Sequence, residues 1–298
     1  MYKANVVRDM GIALADQNLL ISAERLKARL GQPDLRVIDC RFDLAQADAG
    51  RNSYLEGHIP SAVYADLDKD LAGQPEPETG RHPLPSISAL TATFSGLGIA
   101  SNTEVVVYDD RSGALAARTW WLLRWLGHTK TSLLDGGLAR WNQLAYPLDK
   151  GDSAVTKANF IARKRSGMVL ETEEIVANGN SCEALRLVDA RDAIRFRGEA
   201  EPIDSVAGHI PGALNMPLDT SLNDDGTWKR QEQLQVLWQT VLGEDENQAW
   251  SVMCGSGVTA CHLAISGLLA GRSEPRLYVG SWSEWIRDPG RQVVTFEP

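Results

Sequence analysis

The segment Val252-Met253-Cys254-Gly255-Ser256-Gly257-Val258-Thr259-Ala260 places a cysteine at the end of an apolar run, ahead of small residues and a helix-forming stretch. In such a setting the loop N–H groups and the positive end of the helix dipole face the sulfur, which lowers a thiol's pKa and holds an anionic group bonded to it. The chemistry expected at Cys254 is therefore that of a sulfur nucleophile. A lone free cysteine is more often a small buried hydrophobe, and Cys40, Cys182 and Cys261 take that reading because no comparable loop surrounds them. Gly255 and Gly257 flanking Ser256, with Val258 and Thr259 leading into the helix, set Cys254 apart.

Such a loop needs a strand to end on and a helix to lead into, and the chain supplies both twice. Leu35–Asp39, Val105–Tyr108 and Leu133–Leu134 are short apolar runs rich in β-formers, with Ala114–Leu126 spaced as a buried helix between two of them. Arg186–Asp189, Trp250–Met253, Val258–Leu269 and Arg276–Val279 repeat the pattern. Motifs recur in the same order roughly 150 residues apart. Asp39-Cys40-Arg41 answers to Asp189-Ala190-Arg191, Gly57-His58-Ile59-Pro60 to Gly208-His209-Ile210-Pro211, and Gly137-Leu138-Ala139-Arg140-Trp141 to Ser281-Trp282-Ser283-Glu284-Trp285. A period this long indicates duplicated domains rather than a solenoid. Alternating strands and helices predict α/β domains, each a mainly parallel sheet flanked by helices, with sites at the carboxyl ends of the strands. The expected division is a first domain over 18–146, a polar linker over 147–167 and a second domain over 168–288. In the first domain Asp109 stands where the second has Cys254, and a carboxylate cannot act as a sulfur nucleophile; that half is expected to be non-catalytic and to wall the cleft.

Composition narrows the partners. A chain of 298 residues with 43% hydrophobic content can bury a large core. The formal net charge of −9 argues against nucleic acid, whose phosphates need clustered cations, yet leaves room for a small anionic substrate in a locally positive site. No apolar run is long enough to cross a bilayer, and Met1 to Gln17 lacks a signal-peptide core. The four cysteines show no paired spacing, so a reducing, cytoplasmic setting is expected. Nothing calls for a metal or an organic cofactor: His58 and His209 have no Cys or His at ligand spacing and read as structural.

Taken together, the repeated Asp-x-Arg and Gly-His-Ile-Pro elements, the Cys-Gly-Ser-Gly-Val-Thr-Ala loop and the Gly-x-Trp-x-Glu-Trp ending resemble the tandem rhodanese-domain sulfurtransferases over roughly residues 18 to 288. The loop is similar to that of the 3-mercaptopyruvate branch. Thiosulfate enzymes carry two cationic residues directly after the cysteine, where this chain has Gly255 and Ser256. That contrast has a physical basis. Sulfite leaving from thiosulfate carries concentrated charge, whereas pyruvate enolate needs polar donors and a proton source. The resemblance implies a persulfide on Cys254, a small anionic sulfur donor, and a thiol such as thioredoxin, or cyanide, as acceptor. It also implies a Ser-His-Asp relay of Ser256, His82 and Asp68, the last two from the first domain, for work suited to histidine.

For the substrate carboxylate, Arg195 offers a guanidinium that can grip both oxygens. Arg191 matches Arg41 of the other half and reads as structural. Family members place a second arginine just after a Glu-Pro pair, but here Glu201-Pro202 is followed by Ile203, leaving Arg197 as the substitute. The resemblance further implies that Gly255, Gly257, Val258 and Thr259 contact the substrate. Three other readings compete. A thiosulfate sulfurtransferase would share the fold. A cysteine phosphatase needs an arginine six residues after the cysteine, where this chain has Ala260. A sulfur-carrier or redox-sensing module would lack the relay.

Overall fold

The computed structural model describes residues 19–296; Met1 to Gln17, read above as lacking a signal-peptide core, lies outside the described residues. The first half contains β1 (Leu20–Ile21), β2 (Leu35–Asp39), β3 (Val63–Tyr64), β4 (Glu104–Tyr108) and β5 (Thr131–Leu134). The second contains β6 (Val169–Leu170), β7 (Leu187–Asp189), β8 (Leu214–Asn215), β9 (Ser251–Met253) and β10 (Arg276–Tyr278). The strands form two five-stranded sheets ordered β1-β5-β4-β2-β3 and β6-β10-β9-β7-β8, the same order twice. All the pairings are parallel. Parallel sheets carry helices on both faces, so their central strands are apolar on both. Val105, Val106 and Val107 of β4 and Val252 and Met253 of β9 are all buried accordingly.

The helices that follow β4 and β9, Ala116–Trp125 and Ala260–Leu269, pack against each other and join the halves. Every residue of Ala116–Trp125 is buried, since one face meets its own sheet and the other meets the second half. Trp120, Trp121 and Leu123 therefore share one continuous core with Trp238, Leu263 and Ala264, while smaller separate clusters line the outer face of each sheet. The polar segment 147–167 is docked rather than loose. Phe160 is buried, its N–H reaches Ser95 Oγ at 3.1 Å, and Arg163 and Arg165 donate backbone N–H groups to Leu126 and Trp125.

The repeated motifs brace the loops. Arg41 and Arg191 grip Asp39 and Asp189 with both carboxylate oxygens and then cap the carbonyls of Gly57 and Gly208, each at 2.7 Å. His58 and His209 stack on Tyr54 and Phe196 and bond the carbonyls of the same residues at 2.8 Å. Both pairs of motif residues are structural, as their presence in both halves suggests.

Glu274 of the second half pairs with Arg124 of the first-half helix and with Arg165 of the connecting segment, the latter at 3.0 Å. Burial works to raise this carboxyl, but the Arg165 bond and the nearby Arg124 charge outweigh it and hold it below its ordinary value of 4.5. Glu274→Gln is therefore expected to cost about 1–3 kcal/mol of stability at neutral pH. A carboxyl held low when folded contributes fully above its unfolded value and loses that contribution as pH falls through the folded one. The gap between the native protein and the variant, measured by urea unfolding, should thus be full at pH 7 and shrink in acid.

Candidate active site

Cys254 closes β9 and lies at the floor of a cleft of about 340 Å³ between the two halves. Its backbone is held on both sides: its N–H reaches Ser281 Oγ at 3.1 Å and its carbonyl accepts the Trp282 N–H at 3.1 Å. The Ser256 N–H points at the sulfur from 3.4 Å. Gly257 is the residue that turns this loop. Its φ of +74° lies in the left-handed region, and a Cβ there would sit 2.4 Å from the Val279 carbonyl oxygen. Gly255, Ser256, Val258 and Thr259 line the cleft with Cys254, whereas the Gly257 carbonyl turns away from it. The other cysteines are buried, which raises the Cys40 thiol well above its ordinary value and pushes Cys182 and Cys261 up to about 12.

The first half shows what such a loop does with an anion. Asp109, at the position equivalent to Cys254, is fully buried, and its carboxylate accepts the N–H groups of Arg111, Gly113, Leu115 and Ala116 at 2.7–2.8 Å. Burial pushes the carboxyl above its ordinary value, against the pull of these four donors. The residues at the equivalent positions of the second loop are Ser256, Val258, Ala260 and Cys261; the Ser256 N–H faces the sulfur, and the Cys261 N–H is bonded to the Val258 carbonyl at 3.1 Å. That loop can accept a second atom carrying negative charge.

Across the cleft stands a hydrogen-bonded chain. Ser256 Oγ lies 2.8 Å from His82 Nδ1, and His82 Nε2 lies 3.3 Å from Asp68 Oδ1. Asp68 is in the helix Leu67–Asp70, whose first turn is capped by the Asp66 carboxylate on the Asp68 and Lys69 N–H groups. Pro83 restricts His82 to extended backbone. The His82 segment is pinned to the second half: the Arg81 N–H meets Ser283 Oγ at 3.1 Å, and at Gly80 a Cβ would come within 2.5 Å of the Gly280 carbonyl oxygen. Burial, reinforced by the Arg118 and Arg81 charges, lowers His82 from 6.5 to about 4. At neutral pH the imidazole is uncharged, so it can donate through one nitrogen to Asp68 and accept the Ser256 proton on the other. The chain can pass a proton between cleft and solvent, because the Asp68 side chain is half-exposed.

The arginines divide. Arg195 lines the cleft but is not free: its Nε meets both Glu201 oxygens at 2.9 and 3.0 Å, and its Nη2 meets Asp204 at 3.1 Å. Arg197 does not line the cleft. It is half-exposed and forks onto Glu199 at 2.6 Å, two residues beyond Arg195. Sequence reasoning missed Arg81, which lines the cleft and pairs with the other oxygen of Asp204. Its signal was adjacency to His82. Ile203 is half-exposed at the cleft rim, beside Leu44 and Phe42 of the first half.

Comparison with known proteins gives a consistent picture. The rhodanese-like domain family matches twice, over residues 22–144 and 171–288. A probable 3-mercaptopyruvate sulfurtransferase of Pseudomonas aeruginosa is 44% identical across 93% of this chain and 98% of its own. A putative thiosulfate sulfurtransferase of Mycobacterium tuberculosis is 37% identical across 92% of this chain and 96% of its own. Among solved structures, SseA of Escherichia coli, described as a 3-mercaptopyruvate sulfotransferase, superposes with a TM-score of 0.78 at 30% identity, covering 90% of this chain and all of its own.

Two measurements test the geometry. NMR titration of labelled histidines should place the His82 midpoint near 4; a midpoint of about 6 or above would be inconsistent with a neutral, buried imidazole. Because the unfolded imidazole titrates higher, His82 makes the protein progressively less stable as pH falls from 6.5 towards 4. Gly257→Ala should destabilise by about 1–3 kcal/mol through left-handed strain and the Val279 clash, read by thermal unfolding.

Proposed function

The chain belongs to the rhodanese-like domain family in tandem form, and from that premise we propose that it is a sulfurtransferase moving sulfur from 3-mercaptopyruvate to a thiol or cyanide through a persulfide on Cys254. The observation that carries the reading is the Ser256–His82–Asp68 chain beside the sulfur, built from both halves. The Cys254 thiolate attacks the substrate thiol sulfur, forming an S–S bond as the C–S bond breaks. The leaving group is pyruvate enolate. The proton lost by the outer persulfide sulfur returns to the enolate carbon, with Ser256 and the neutral His82 as its carriers and Asp68 holding the imidazole tautomer. Of the N–H groups that correspond to those Asp109 occupies in the other half, that of Ser256 already faces the Cys254 sulfur and supports the persulfide, while that of Cys261 is taken by the Val258 carbonyl.

Substrate choice follows from charge. The neutral Gly255-Ser256 pair places no cation beside the leaving group, and Asp204 and Glu201 neutralise much of Arg81 and Arg195. A monoanionic keto acid suits that cleft better than a dianion, with Arg195 as carboxylate anchor and Gly255, Val258 and Thr259 against the substrate. Both donor types occur among the relatives, so thiosulfate remains the second reading. For the acceptor, a thiol such as that of reduced thioredoxin, or cyanide, completes the cycle. No helix among the described residues is long and apolar enough to cross a membrane, and a reducing, cytoplasmic setting would keep Cys254 free.

Enzyme treated with mercaptopyruvate without acceptor should gain one sulfur on the Cys254 peptide by mass spectrometry; turnover with Cys254 unmodified would overturn the mechanism. Side-by-side kcat/KM should favour mercaptopyruvate over thiosulfate, and the reverse order would move the protein to the second reading. His82→Ala should lower kcat about 10²-fold with mercaptopyruvate and much less with thiosulfate, whose cleavage needs no carbon protonation.

A further inference from the structure

Arg118 lies in the helix Ala116–Trp125 of the first half and is fully buried between the halves. Its two terminal nitrogens donate to backbone carbonyls, Nη1 to Gly257 at 3.0 Å and Nη2 to His82 at 3.1 Å. One guanidinium thus fixes both the turn of the Cys254 loop and the segment that carries the imidazole. Its Nε has no hydrogen-bond partner, its side chain also bonds the Cys261 thiol, and no carboxylate pairs with it among the described residues. Burying a cation without a counter-ion is costly unless an anion forms nearby.

The other charges around the sulfur are accounted for. Arg81 and Arg195 share Asp204, Arg191 is held by Asp189, and Arg111 reaches Asp43 at 3.4 Å. Asp192 and Asp219 lie on the cleft wall, and His82 is neutral. Behind the loop, the buried Cys261 thiol is pushed up to about 12 and carries no charge. Arg118 interacts electrostatically with Cys261 and with Cys254. Burial lowers the guanidinium below its ordinary value, yet an arginine stays charged. In the other half the corresponding left-handed residue, Ser112, is approached by His262 instead, a fully buried imidazole lowered to about 3 and hence neutral. The cation lies under the loop that carries the sulfur, and the neutral ring under the loop that carries its own carboxylate.

We infer that Arg118 is a positioning residue that locks the Cys254 loop to the His82 segment and supplies, from the opposite half, the fixed positive charge that balances the Cys254 thiolate and persulfide. This rests on Cys254 acting as the nucleophile. It assigns the first half a part in activating the sulfur as well as in supplying the relay.

The test is the pH dependence of Cys254 alkylation by iodoacetamide on the intact protein, with the modified peptide identified by mass spectrometry. Arg118→Gln keeps hydrogen-bond donors and removes the charge; its alkylation midpoint should rise by about one pH unit. Arg118→Lys keeps the charge with fewer donors; its midpoint should stay within about 0.3 of native, while turnover falls about tenfold from looser positioning. An unmoved midpoint in the glutamine variant would overturn the inference. Should that variant not fold, the lysine variant decides, and a midpoint raised by about a unit with the charge retained would overturn it equally. Alkylation is scored without any sulfur donor, so its failure leaves persulfide formation on Cys254 standing, and the absence of a persulfide leaves the charge measurement interpretable.

Discussion

The packing of the helix Ala116–Trp125 against Ala260–Leu269 is the constraint on which the rest depends. Each helix is a standard part of its own α/β half, but between them they turn two cores into one, with tryptophans of both halves in a single apolar cluster. Burial on that scale fixes the relative placement of the halves closely, because packed interiors tolerate little displacement. The cleft has no existence apart from this interface. Its sulfur and serine come from one half and its imidazole and carboxylate from the other, and hydrogen bonds of about 3 Å between them demand that precision.

Duplication explains how such a site arises from one architecture. Both halves end their fourth strand on a loop whose N–H groups converge beside a helix start, an arrangement that favours negative charge. In the first half the Asp109 carboxylate satisfies those donors internally and stabilises the loop as structure. In the second the shorter Cys254 side chain leaves space, which the proposed mechanism fills with the transferred sulfur.

Charge is managed around the cleft by pairing. Asp204 bridges Arg81 and Arg195 across the domain boundary, which both ties the halves together and tempers the field that a dianion would need. The His82 imidazole is kept neutral by burial and by neighbouring arginines, so it stands between Ser256 and Asp68 as a neutral hydrogen-bonding group. The apolar rim of Leu44 and Ile203 completes a mouth with less positive character than the arginines alone would give it.

The chain's own residues determined a good deal. The strand Leu35–Asp39 and the helix after each fourth strand were legible because periodicity and β-branched runs are local properties, and the duplication because motif order survives in sequence. The two-residue strands β1, β3, β6 and β8 were not, since a run that short carries no period and is a strand only by virtue of its partner. Cys254 stood out through its own glycines, and Arg41 and Arg191 through repetition. What a side chain meets across 174 residues of sequence, as Ser256 meets His82, was implied only by resemblance. The pairing of Arg195 with Glu201 and Asp204, the outward turn of Arg197 and the burial of Arg118 were decided by the tertiary structure alone. A guanidinium's role depends on which carboxylates or carbonyls the folded chain brings within hydrogen-bond reach, and burial is a property of the interface rather than of the residue.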